Sequence, residues 1–345
     1  MTRPDVAGSA GLAGLAALTL ALTACGSATT PAAGTPSASA SMSTSGATGP
    51  TTGPTSAPTT GPTTVSVTTL PYRLPQPIAR EAVVQGSGAT VTVAGGLLSG
   101  DASSASAYTL DLASGQVRRL PPLGVPVHDT AGALAGGTAL VVGGGNAAEQ
   151  AVVQARSPRG WRVTGRLPQA RSDLSVVSVG GRILALGGYD GTRPAEPDIL
   201  ASSDGRSWSV AGRLPVPVRY AATAVTAGSV WVFGGEVAGA MQTAVQRIDP
   251  ATGHATVVAH LAHPVGHASA CVVGGRVLLV GGRTGVSTLT DRMWWFDPAT
   301  GRLRPAGRLP TPLADAATAE VGNTCYLIGG ETPNPTDRVL AITAG

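Results

Sequence analysis

The sequence has no lysine. All 23 basic side chains are arginine, a bias to which we attach no chemistry. Charged residues are only 12% and aromatics only 3% of the 345 residues, and the net charge is +4. No basic cluster and no aromatic ladder stands out, which argues against nucleic-acid binding. Cysteine is scarce, with three in all. One, Cys25, closes an apolar leader, which leaves two, too few for a zinc ribbon or an iron–sulfur cluster. What the chain does have is glycine (48) and proline (27). That mix suits many short strands and turns, not long helices.

Residues 6–24 form an uncharged run rich in Ala and Leu, preceded by Arg3. The run reads as a secretory signal, although Asp5 departs from the positive start such signals have. It ends in Leu22, Thr23, Ala24 and Cys25, which resembles the bacterial lipobox. The resemblance implies that residues 1–24 are a lipoprotein signal peptide. It also implies that Cys25 receives the lipid, which would hold an extracytoplasmic protein on the bacterial cell membrane. The alternative is an uncleaved anchor, since nineteen residues can just span a bilayer. Residues 25–64 are almost entirely Ser, Thr, Pro, Gly and Ala. With few apolar side chains to offset the entropy of folding, they are expected to be a disordered linker. As a coil its ends would lie roughly 35 Å apart.

The remainder, residues 65–345, is periodic. Glycine pairs occur at Gly95-Gly96, Gly143-Gly144, Gly187-Gly188, Gly234-Gly235, Gly281-Gly282 and Gly329-Gly330, 44 to 48 residues apart. Each closes a short apolar run such as Val230–Phe233. Most repeats open on an element like Arg213-Leu214-Pro215. A small-residue strand follows, then the glycine-terminated strand, then a hairpin whose Asp-Pro-x-x-Gly turn is plainest at 249–253 and 297–301. Four short strands per unit at this period predict propeller blades. The glycines then mark places where close backbone neighbours leave no space for a Cβ.

This pattern resembles the kelch repeat over about residues 65–345. The resemblance implies an all-β, six-bladed kelch-type β-propeller. The later aromatic positions of the repeat are partly kept, at Tyr108, Trp161 and Trp208. The Gly-His and Trp-Asp landmarks of WD40 repeats do not appear. The sixth unit is one strand short, and residues 65–73 look like the strand that completes it, closing the ring and removing an open edge. Cys271 and Cys325 fall at similar heights in neighbouring blades, either as a disulfide or as two buried thiols. His260, His263 and His267 have spacings that tempt a metal reading, but they straddle a turn without an acidic neighbour in sequence. They are read as solvent-exposed, with no metal and no cofactor expected. The segment 202–208 resembles the Asp-box turn of sialidases, a structural hairpin.

One column of the repeat carries polar chemistry. Fourteen residues before each glycine pair stand Glu81, Asp129, Asp173, Tyr220, His267 and Asp315, with Arg80 and Arg219 one residue earlier and Arg171 two. Repetition would place them at one height around the axis, at the mouth that kelch relatives commonly use for ligands. Two readings stand: a polar, acid-biased funnel for a cation, amine or sugar, or acids paired with Arg80, Arg171 or Arg219. The expected function is a monomeric, lipid-anchored module that binds a protein or glycan partner at the mouth. Kelch relatives that are enzymes imply the alternative, a sugar-modifying enzyme of sialic-acid mutarotase type using the funnel for acid–base work. A galactose-oxidase-like oxidoreductase would need a Tyr–Cys crosslink and copper ligands that have no evident counterpart here.

Overall fold

The computed structural model describes residues 64–345. The expected signal peptide, Cys25 and all but the last residue of the expected linker lie outside the described residues. Within 64–345 the chain forms six four-stranded antiparallel sheets. In blade four these strands are Ala222–Thr226, Ser229–Phe233, Ala244–Ile248 and Ala255–His260, from the axis outward. The second strand is buried along its whole length. It is covered on both faces because each sheet stacks on the next, so an unbroken apolar run suits it better than alternation. The outermost strand is mostly exposed.

The core lies between the blades. Phe233 and Trp231 of blade four each meet Phe296 of blade five edge-on, with ring centroids 5.0 Å apart. Blades four and five also carry small hairpins between their second and third strands, Glu236–Val237 with Ala240–Met241 and Arg283–Gly285 with Thr288–Leu289. Cys271 and Cys325 form a disulfide between the inner strand of blade five and the second strand of blade six, with Cα atoms 6.0 Å apart.

The sixth sheet mixes both ends of the described chain. Its order is Val65–Thr69, Val339–Ala344, Thr324–Ile328 and Ala317–Val321. Val65 pairs with Ala344 and Thr69 with Leu340. The strand at 65–69 therefore covers what would be an unpaired outer edge.

The glycine pairs join one blade to the next. Gly234 sits at a φ of 56°, and a Cβ there would collide with the carbonyl of Val265 in the chain entering blade five. That carbonyl accepts the N–H of Gly235 at 2.9 Å. The bond recurs at every step: Gly96 to Val127, Gly144 to Arg171, Gly188 to Val218, Gly282 to Leu313 and Gly330 to Ile78. The last of these crosses from blade six to blade one. The close backbone neighbour expected at the glycines is thus the next blade's incoming chain.

Candidate functional site

Between the incoming chain and the inner strand of each blade, one residue has a positive φ: Arg80, Asp129, Asp173, Tyr220, His267 and Asp315, all between 50° and 58°. Outside glycine this region favours Asp, Asn and His, and three aspartates and a histidine fill four of the six places. The turn lets successive residues bond around the axis. Asp173 N donates to Asp129 O, Tyr220 N to Asp173 O, His267 N to Tyr220 O, Asp315 N to His267 O, and Arg80 N to Asp315 O, at 2.8 to 3.1 Å.

Blade one corrects the sequence column. Its member is Arg80, not Glu81. The turn between its first two strands spans residues 86–89, where blade two has only Gly136 and Gly137. The longer turn puts the column residue fifteen places before Gly95. Glu81 instead tucks in beside Gly96 and Gly329, 4% exposed, with neither carboxylate oxygen hydrogen-bonded. Burial pushes its carboxyl up to about 8, and the charge of Asp315 adds to this.

Two more corrections concern Arg171 and His267. Arg171 does not pair with the column. It is buried within blade three, donates to the carbonyls of Gly187 and Asp198 at 3.1 and 2.9 Å, and lies 3.6 Å from the Glu196 carboxylate. His260 and His263 are exposed as expected, but His267 is buried. Its Nδ1 lies 2.7 Å from Asp315 Oδ1, its Nε2 lies 3.1 Å from Glu236 Oε2, and its ring stacks on Tyr220 at 3.9 Å. Burial alone would lower its pKa. Asp315 and Glu236 outweigh that and raise it to about 9, so the imidazolium is the resident form at neutral pH.

The sequence column misses a second set of residues, two places after the first glycine of each pair. Three of these, Glu236, Arg283 and Glu331, interlock with the ring. Arg80 bonds Glu331 at 2.8 Å, the Tyr220 hydroxyl at 3.1 Å and Asp129 at 3.3 Å. Arg219 pairs with Asp173 at 3.3 Å and with Glu236, and lies over the rings of Tyr189 and Tyr220. Arg283 pairs with Glu331 and reaches Asp315 at 3.5 Å. The hydrogen bond from His267, helped by Arg219, holds Glu236 down at about 2. Two ring carboxyls go the other way: burial and the neighbouring Asp129 charge push Asp173 up to about 7, against the pull of Arg219, and burial with the charge of Asp315 raises Glu331. Among the described residues no cluster of His, Cys, Asp and Glu is arranged to hold a metal ion.

The ring closes one end of a central channel of about 440 Å³. The channel walls are the inner strands, lined by small side chains such as Ala131, Gly132, Ala222, Ala224 and Ala270. Side chains also seal neighbouring inner strands to each other. Ser175 bonds the carbonyl of Ala221, Ser269 that of Ala316, and Glu320 Oε1 accepts the N–H of Val272.

Six four-stranded sheets around a channel of small side chains define a six-bladed β-propeller. Residues 264–302 match the Kelch motif. In fold the chain resembles the solved structure of YjhT, with a TM-score of 0.67 at 18% identity, over 79% of this chain and 95% of that one. No curated protein matches the sequence.

Proposed function

We propose that the chain is a lipid-anchored, extracytoplasmic binding module, held on the membrane through Cys25, whose central channel receives the end of a glycan. The observation that carries this reading is the channel itself. Its volume of about 440 Å³ falls in the range of small-molecule sites and suits a sugar residue. Its walls are small, and its end offers donors and acceptors from Arg80, Asp129, Asp173 and Tyr220. Most of the ring's charges are matched within the ring, which favours recognition over chemistry. A glycan array probed with the full chain and with Asp129→Asn tests it. Retention of defined glycans by the native chain, reduced at least tenfold in the variant, is expected. Retention of none, with a protein captured by cross-linking at the ring, would move the reading to a protein partner.

A second reading, a sugar mutarotase, is favoured by Asp173, which lines the channel with a pKa of about 7. A group titrating there can give and take a proton at neutral pH. Mutarotation accelerated by the native chain and lost in Asp173→Asn would support it. A galactose-oxidase-like reading is disfavoured, since the two cysteines other than Cys25 are bonded to each other.

A further inference from the structure

The repeat is interrupted by threonine in blade one. The central residue of the second strand is Leu140, Leu184, Trp231, Leu278 and Tyr326 in blades two to six, and Thr92 in blade one. In the other blades this large side chain fills the space toward the next sheet. Leu140, for example, abuts Gly205 of blade three. Opposite Thr92 on the third strand stands another threonine, Thr109. The two short side chains leave a groove of about 590 Å³ between blades one and two, and Ser87, Thr90, Thr138, Arg156 and Ser157 complete its polar lining.

Two groups in this groove lack partners. Thr92 is 7% exposed, yet its hydroxyl has no hydrogen-bond partner among the described residues. Arg156 is half-buried, and its guanidinium is likewise unpaired among them. Asp111, across the strand pair from Thr90, accepts from the Ser114 N–H and hydroxyl. The Thr92 hydroxyl opens onto the groove, where a ligand can reach it, whereas the other blades fill this place with a larger side chain, Leu, Trp or Tyr. No hydrogen bond of the fold depends on Thr92.

We propose that this groove is a second ligand site, separate from the channel, for a small polyol that carries one oxyanion. Arg156 takes the carboxylate or phosphate through its forked donors. The hydroxyls of Thr92, Thr109 and Thr138 bond the ligand's hydroxyl groups. Val84 and Ala139 give its carbon skeleton an apolar wall. The inner strand Ala82–Gln85 separates the two sites, with Val83 and Gln85 on the channel and Val84 on the groove.

Titration calorimetry on the full chain, with D-glucuronate, glucose 6-phosphate, glucose and inorganic phosphate, tests this. At least one of the two anionic sugars should bind at one site per chain, at least tenfold more tightly than glucose or inorganic phosphate. Which of the two binds identifies carboxylate or phosphate as the oxyanion. Arg156→Gln should weaken binding at least tenfold. Thr92→Leu, which installs the residue of blades two, three and five, should abolish binding with the melting temperature unchanged or raised. Asp129→Asn, on the channel side, should leave binding unchanged. No saturable binding of either anionic sugar would overturn the proposal. So would inorganic phosphate or glucose binding as tightly, binding that survives Arg156→Gln or Thr92→Leu, or binding lost in Asp129→Asn.

Discussion

Replacing Glu81 by glutamine should make the protein more stable at neutral pH. The buried carboxyl has a pKa near 8 in the folded chain, against an ordinary value of 4.5. Below pH 4.5 both folded and unfolded chains hold the proton, and the site has no pH dependence. From 4.5 to about 8 the unfolded chain releases the proton while the folded chain keeps it. Folding then weakens by about 1.4 kcal/mol for each pH unit. Above pH 8 both states are ionised and the loss is complete. Between pH 5 and pH 8 the native chain should therefore lose about 4 kcal/mol from this one group. Glu81→Gln has nearly the same shape and no charge to lose. Its advantage over the native chain should be small at pH 5 and grow toward pH 8. Urea unfolding of both proteins at pH 5, 6, 7 and 8 measures the difference directly, and comparing the pair cancels all other titrating groups. A constant offset across the four pH values would refute the reasoning, because an ionisable buried carboxyl cannot give one.

Other substitutions probe other links. His267→Asn should destabilise, with a dependence set by a pKa raised from 6.5 to about 9. Because the folded value is the higher one, the imidazolium's contribution is complete below pH 6.5. It fades by about 3 kcal/mol as pH rises to 9, so the gap between native and variant should narrow across that window in urea titrations. Gly234→Val forces a side chain into the Val265 carbonyl at a positive φ and should cost roughly 3 kcal/mol or more. An unchanged melting curve would contradict the account of the glycine pairs. Removing the disulfide with Cys271→Ala and Cys325→Ala together releases a loop of sequence separation 54. The loss should be about 4 kcal/mol by loop-closure entropy, checked by melting the native chain with and without reductant against the double variant.

Much of the architecture was legible because its causes repeat. A glycine pair demanded by an approaching carbonyl appears six times, and the interval between pairs is the blade. The missing strand of blade six could be counted, so the partner of Val339–Ala344 could be sought near residue 65. What failed to show was whatever depends on a single blade. Glu81 falls in the column by counting, but a longer turn in blade one shifts the chain by one residue and puts Arg80 there. Arg171 occupies a place that is Val127, Val218, Val265, Leu313 or Ile78 in the other blades. No periodic rule predicts that its charge is met by Glu196 within blade three. His267 looked like a turn residue because its partners, Glu236 and Asp315, are 31 and 48 positions away. The second half of the ring did carry a signal, since Glu236, Arg283 and Glu331 keep a fixed distance from the glycines. Its meaning emerges only once the blades are arranged around one axis.

The sharing of blade six between both ends of the described chain bears on how the molecule assembles. The strand at 65–69 has no partner until the one at 339–344 arrives, roughly 270 residues later. Five sheets can form from neighbouring hairpins as they emerge, but the sixth waits on the most distant pairing in the domain. Searching for so remote a contact is slow. The partly built ring meanwhile exposes the flank of blade one that should rest on blade six. Acquisition of the native state should thus be governed by a single late fastening step, and slippage at that strand would reopen the circle before any other blade gives way.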